Sequence, residues 1–317
     1  MKNMLKKLMS RNEIGTLLPL LVLCIVIGIV NIDFFQISNI IDVFRTASYS
    51  FMIAAPLTGL MIAGSMDLTI GAVTSIGGVV CAWCLVGGLP IPAAILITLA
   101  VGVLLGSINA WVVVKQNLPA FIVTLGLQYA INGFILITTQ GIPISVPGTF
   151  KVFGQGRLFD SVYYSIIFAI LEGIVFHILF SKTKYGRSLY AVGGNEETAK
   201  LAGINVHKTR FLITIIVSVF AVICGMFMCS RFVSAQSAAG SGTEMTIMAA
   251  VIIGGTSMYG GSGTIVGSAL GCLLLAVINN GLVLMHISTY WQSFIFGLIL
   301  VISLFIDKYR QMRSTRV

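Results

Sequence analysis

Apolar residues occupy this chain in long blocks, and the polar residues gather between them. Between Arg45 and Lys115 the one charged residue is Asp67; none lies between Lys115 and Lys151, or between Glu244 and Asp307. A membrane-spanning helix needs about 20 apolar residues, and a charge at its centre costs about 2.5–3.5 kcal/mol. The pattern therefore predicts about ten spans, near 14–31, 47–64, 69–87, 91–113, 120–138, 162–180, 210–230, 245–257, 264–284 and 290–306. The eighth is too short to cross alone and reads as a half-helix or a tilted element. In segment 32–46, Ile37, Ile40, Ile41 and Phe44 recur at helical spacing, which predicts a short amphipathic helix on the outer surface before the second span. The longest outside loop, about 139–161, is rich in Gly and Pro, and the longest inside loop runs from 181 to 208.

Composition removes the alternatives. Of 317 residues, 57% are hydrophobic and 9% charged, against about 25% charged in soluble domains. A soluble enzyme, a disordered chain and a disulfide-framed secreted domain are excluded. The fold class is an all-α integral membrane protein, with residues 1–317 forming one transmembrane domain. The net charge of +9 does not imply nucleic acid, because the basic residues sit at segment ends rather than on one face. Sorted by side, fifteen of the nineteen Lys and Arg fall with the two termini; Arg45, Lys151, Arg157 and Arg231 fall on the other side. The positive-inside rule then places both termini in the cytoplasm and requires an even number of spans; an eight-span arrangement keeps that parity. The basic start Met1–Glu13 leads into Ile14–Val30, longer than a signal-peptide core and without a small-residue cleavage site after it, so it reads as a retained first span.

Two stretches repeat. Residues 67–78, DLTIGAVTSIGG, lie over 244–255, EMTIMAAVIIGG, at an offset of 177, and LLGSIN at 104–109 lies over LLAVIN at 274–279, at an offset of 170. The repeat halves are about 47–138 and 210–306. With the assigned orientation the first copy starts inside and the second outside, so the copies are inverted, as in many transporters. Segments 67–113 and 244–284 are then expected to run in opposite directions.

Few side chains offer chemistry. The glycine-rich run Gly254–Gly263 lacks the Gly-Lys of a phosphate loop and reads as a tight reversal between spans. Gly263, Gly267 and Gly271 recur every four residues and let another helix approach. Asp67 and Glu244 each stand just before a helix start, where capping and function are both open. Glu172 is deeper in a span, with His177 five residues on. Cys81 and Cys84 have redox spacing but lie within a span with no other soft ligand nearby, so packing is the reading. The three histidines have no metal spacing, and no serine has an elbow context. No catalytic residue, metal site or cofactor is assigned to this chain.

The inside loop carries the most specific pattern. Asn195 is a good N-cap, Glu196 and Glu197 fall in the first turn where the dipole favours acids, and Gly203 stands at a stop position. A two-turn helix over 195–203 follows. It is too short to be stable alone, so it must dock.

From this loop outward the chain resembles the permease subunits of bacterial sugar ABC importers of the ribose, xylose and galactose type. The resemblance covers nearly the whole chain: Phe34-Phe35 with Asn39, Asp67–Gly71, Pro119–Leu125, Tyr185–Arg187, Ala191–Glu196, Ala202–Asn205, Ala249–Ser257 and Asn279–Gly281. It implies the type II importer permease fold in the bacterial cytoplasmic membrane. It also implies a second permease chain, identical or not, a separate ABC ATPase that binds the ATP, and an extracytoplasmic binding protein that delivers a monosaccharide. Helix 195–203 would be the coupling helix on the ATPase, with Asn195, Glu196, Glu197, Ala199 and Gly203 as its residues. Glu197, Ala199 and Gly203 look like the EAA---G core, while Thr198 replaces the first alanine and the distal proline is missing. The fifth span would line the pathway, with Thr124, Gln128 and Asn132 as its polar candidates. Arg45, Lys151, Arg157 and Arg231 would meet acids on the binding protein or, equally, lipid headgroups. An ion-coupled secondary sugar transporter is the alternative. It would need an ion site within the membrane, for which the chain offers few groups.

Overall fold

The structure, a computed structural model, describes residues 14–158 and 161–288, with Trp291, Phe294, Ile295, Gly297 and Leu298. The tenth predicted span lies mostly outside the described residues. The helices are α1 (Ile14–Val30), α2 (Ile37–Ile62), α3 (Ile70–Val86), α4 (Ile91–Ala110, continued by a π-helical turn, Trp111–Lys115) and α5 (Ala120–Thr139). They continue with α6 (Lys151–Gln155), α7 (Tyr164–Lys182), α8 (Lys184–Gly194), α9 (Glu196–Leu201), α10 (Val206–Phe232), α11 (Thr243–Ile253) and α12 (Ile265–Leu284). Among the described residues, five segments are long and apolar enough to cross a membrane: Ile91–Lys115, α5, α7, α10 and α12.

The predicted surface helix at 32–46 does not stand apart. Ile32–Phe35 form a 3-10 turn, and Ile37–Ile62 are one helix that carries Arg45 into the bundle and leaves Asp42 exposed. Nothing near residue 46 breaks the chain, since the nearest proline is Pro56, and the apolar face of the first turns continues into the fully buried run Met52–Ile62.

Helix α10 is the central post, and its 27 residues span about 40 Å. Between apolar helices in lipid, close packing of small residues replaces the hydrophobic effect as the source of attraction. That is how α10 is gripped. Gly77 of α3 rests on Val222, and Gly225 rests on the Thr74 carbonyl; Gly102 and Gly106 of α4 rest on Val219 and Ile215. The Gly267 and Gly271 face of α12 presses on the Gly254 and Ala250 carbonyls at the end of α11, as the four-residue spacing predicts.

These contacts also give depth and direction. Helix α4 descends toward the Val206 end of α10, since Gly102 meets Val222 and Gly106 meets Ile215. The later residues of α3 join Met226 and Cys229 in one buried cluster, so α3 runs toward the Phe232 end. Helix α11 runs the other way, to a turn over 254–263 that packs on Ile62 and Gly193. Helix α12 leaves that turn and ends where Asn31 Nδ2 donates to the Leu284 carbonyl, beyond α1. The two repeated segments, α3–α4 and α11–α12, therefore run in opposite directions.

One expectation needs correction. Asp67 and Glu244 do not lie at opposite surfaces. Asn109, one turn beyond Gly106, donates to Asp67, which places Asp67 about 10 Å along α10 from its Val206 end. Glu244 and Gly240 lie directly against Gly71, in the first turn of α3. The starts of α3 and α11 thus meet within the bundle, and each helix leaves that junction for a different end. The chain re-enters through 63–69 and 234–242, which explains why α11 is only 11 residues long.

The outside loop is folded rather than open. Ile144–Ser145 (β1) pair antiparallel with Ser234–Ala235 (β4), and Arg157–Leu158 (β2) with Val162–Tyr163 (β3). Phe150 is buried and Phe153 stacks on Phe227 at 4.2 Å. The Gly154 amide donates to Ser230 Oγ, at 2.7 Å, and a side chain at Gly154 would overlap the α10 backbone. The segment is a cap seated on the Phe232 end of α10.

Candidate functional site

Two sets of polar residues stand out, one at the junction and one at the Val206 end. At the junction, Asp67 is fully buried. Its Oδ1 accepts from the Thr69 amide at 2.8 Å and the Thr69 hydroxyl at 2.6 Å, and its Oδ2 accepts from Asn109 Nδ2 at 2.9 Å. Three donors hold this carboxylate in the turn just before α3 and clasp that turn to α4. Glu244, buried in the first turn of α11, accepts at Oε1 from Gln128 Nε2 of α5 at 2.7 Å; its Oε2 has no partner.

The three polar candidates on α5 are not equivalent. Gln128 is half-buried and reaches Glu244. Thr124 is fully buried and returns its hydroxyl to the Ala120 carbonyl at 2.7 Å. Asn132 is half-buried one turn beyond Gln128. Gly126, Tyr129 and Gly133 occupy the opposite, open face. Of the five long segments α5 is the least embedded, with 11% of its apolar window buried against 56% for α10.

At the Val206 end the predicted helix forms as α9. Asn195 Oδ1 accepts from the Thr198 amide at 2.9 Å. The Ile204 amide reaches back to Ala199 O and the Gly203 amide to Lys200 O, both at 3.0 Å, with Gly203 at φ +78°. That is a Schellman stop, which glycine makes without strain. Ala199 is buried against Val192 and Val206, while Glu197 and Thr198 are exposed and Leu201 is 91% exposed. Glu196 rather than Glu197 carries the ion pairs. It accepts from Lys200 Nζ at 2.7 Å and from Arg210 Nη1 at 2.8 Å, and Arg210 Nε donates to Ala63 O at 3.0 Å. Beside this tie lies a cavity of about 200 Å³ lined in part by Ser65, Asn117, Glu196, His207 and Arg210.

The loop holds a second helix that sequence reasoning missed. Helix α8 is capped by Thr183, whose Oγ1 accepts from the Gly186 amide. Its last turn meets the 254–263 turn: Tyr190 Oη donates to Gly263 O at 2.7 Å, and the Gly261 amide donates to Ile62 O at 2.9 Å. At Gly193 a side chain would overlap Ile62 O and the Gly261 amide. A sequence signal was present: Tyr185, Leu189 and Val192 recur at helical spacing, and Leu189 and Val192 form the buried face. Backbone-to-backbone contact thus joins α8, the end of α2 and the 254–263 turn before α12.

The four cations assigned outside have different settings. Arg45 is buried, donates to Gly154 O at 3.0 Å and lies 3.8 Å over the Tyr163 ring, so in this chain it serves the cap rather than the surface. It was expected at the surface because 32–46 was read as a separate helix. Arg231 lies over Tyr49, half-buried. Lys151 and Arg157 are exposed, with Arg157 donating to Tyr163 Oη. Glu172 is buried in α7 with both oxygens unpartnered, and no hydrogen bond joins it to His177. Cys81 is packed in the cluster with Met226 and Cys229.

Helices that break within the bundle, in two oppositely directed copies, define a multi-pass membrane transport protein. Residues 39–304 match the family described as branched-chain amino acid transport system / permease component, and the chain belongs to that family. It is 33% identical to the ribose import permease protein RbsC of Bacillus subtilis, over 93% of this chain and 92% of that protein. It is 32% identical to RbsC of Escherichia coli K12, over 94% of each. The galactose/methyl galactoside import permease protein MglC of Haemophilus influenzae is 30% identical over 92% of this chain and 94% of its own length. No solved structure matches.

Proposed function

We propose that the chain is the transmembrane permease subunit of an ABC importer that moves a monosaccharide across the bacterial cytoplasmic membrane. Its relatives are sugar import permeases that match along nearly their full length, and this single observation carries the substrate class. The family description names branched-chain amino acids, a broader grouping than these full-length relatives. With fifteen of nineteen cations on the side of the termini, the Val206 end of α10 is cytoplasmic. The exposed face of α9, with Glu197, Thr198 and Leu201, then docks on a separate ATPase, which binds the ATP. Leu201 supports this, because an isolated apolar side chain at 91% exposure on a rigid, twice-capped helix offers a knob for a groove.

Motion at α9 reaches the membrane by two contiguous routes. One runs through Glu196 and Arg210 to the end of α2, and the other through α8 and the Gly193 contact to the 254–263 turn and α11. Discrete packed elements of this kind can carry displacement. In this reading α5 lines the pathway with Thr124, Gln128 and Asn132. The cap presents Lys151 and Arg157 to acids on an extracytoplasmic binding protein, and charge complementarity there orients docking. A second permease chain completes the pathway.

Purification of the tagged chain from its native membrane tests the assembly. An ATPase is expected to copurify, and its hydrolysis is expected to rise with a binding protein loaded with D-ribose or D-galactose but not with L-leucine. Absence of a nucleotide-hydrolysing partner, or stimulation by leucine alone, contradicts the proposal.

A further inference from the structure

We propose that Glu244 and Gln128 form a hydroxyl-binding site for the sugar in transit, filled in this structure by the Gln128 amide itself. The proposal rests on the monosaccharide reading above. Glu244 is 6% exposed, and its side chain makes one hydrogen bond, the 2.7 Å contact from Gln128 Nε2. The second oxygen, Oε2, is buried without a hydrogen-bond partner and packs on Gly71, in the space that a side chain there would fill. Among the described residues the ion pairs belong to Glu196, and none reaches Glu244. A carboxylate held at this depth with half its acceptor capacity unused is costly unless a donor visits it.

Sugar hydroxyls are such donors. A carboxylate accepts from two hydroxyls at once, and the adjoining amide both donates and accepts. Together they match neighbouring hydroxyls on a sugar ring. The place suits a transported molecule, because substrate sites of transporters lie where broken helices begin, and here α3 and α11 begin together. In this structure the site is closed. Glu244 sits on α11, which is clamped by glycine contacts to α12, whereas Gln128 sits on α5, the least embedded span. Displacing α5 therefore removes the amide and leaves the carboxylate facing the pathway. Glu244 is also one helix away from the 254–263 turn that α8 presses on, so the exchange of amide for hydroxyl is tied to α9.

The test uses the complete transporter, this chain with its ATPase and binding protein, in proteoliposomes with D-ribose and D-galactose as probes. Glu244→Gln keeps the shape and removes the charge. It is expected to assemble, to hydrolyse ATP under stimulation by the loaded binding protein as before, and to deliver about tenfold less sugar per ATP. Half-maximal stimulation is expected at the same concentration of loaded binding protein, and Glu244→Asp is expected to recover part of the yield. An unchanged yield per ATP in Glu244→Gln overturns the site and leaves the importer reading standing. A loss of uptake matched by equal loss of copurified ATPase and of stimulated hydrolysis also overturns it, since the pair is then a strap between helices. Failure of the unaltered transporter to move either sugar overturns the monosaccharide reading and the site with it.

Discussion

Glu196 fastens the short helix through two cations of different reach. The hydrogen bond from Lys200 holds its carboxyl below the ordinary value of 4.5; partial burial opposes this, and Arg210 adds to the lowering. A carboxyl with a depressed pKa stabilises the folded form fully above its ordinary value, and that contribution is lost as pH falls through the depressed one. Amide hydrogen exchange over 196–204, corrected for intrinsic rates, should therefore show less protection at pH 3 than at pH 6. In Glu196→Gln the protection should be low at both. Equal protection in the unaltered chain at the two pH values contradicts the role given to Glu196. At the junction, Asp67→Ala strands the Thr69 amide and the Asn109 side chain. A loss of about 3 kcal/mol of stability is expected from hydrogen bonds to a charged group, read as a lower thermal midpoint in detergent. Much of this scale was legible: Asn195 and Gly203 are marked by residue type, because few residues serve as N-cap or take a left-handed backbone. The Gln128–Glu244 bond was not, since its partners are 116 positions apart and no periodicity encodes them.

At the scale of elements, the decisive contact is the glycine junction where α8, the end of α2 and the 254–263 turn touch backbone to backbone. Gly193→Val forces a branched side chain into the Ile62 carbonyl; overpacking of this kind typically costs about 1–3 kcal/mol. Normal membrane levels with uptake strongly reduced are expected, because the separation falls on the route from α9 to α11. Normal uptake at normal expression would remove that route. The apolar blocks made most spans readable, since a span must satisfy its backbone internally and so must be helical. They misled at 32–46, where an amphipathic start and a buried continuation share one helix and only a breaker could have marked a boundary. They also gave no depth. Asp67 and Glu244 looked like surface positions because they flank apolar runs, yet re-entrant chain carries both inside.

For the whole molecule, opposed copies pack around one post, an arrangement that suits opening to either side, with α9 as the proposed handle. The orientation predicts that a single cysteine at Ser181 reacts only with cytoplasmic reagent and one at Thr149 only with external reagent; both positions are exposed. Thr149 lies in the cap, so its labelling also tests which face meets a binding protein. The direction of the repeat was readable because scarce polar residues, Asp67 over Glu244 and Asn109 over Asn279, fixed the alignment. The partners were readable only through the resemblance, since the surfaces proposed to meet them are a few exposed side chains such as Leu201, Lys151 and Arg157. The most direct test of the central claim is D-ribose and D-galactose uptake into proteoliposomes holding this chain, its ATPase and its binding protein, with ATP inside or outside and with ionophores that collapse ion gradients. The account predicts uptake only when ATP is available to the ATPase, undiminished by the ionophores. Uptake driven by an ion gradient without ATP would contradict it.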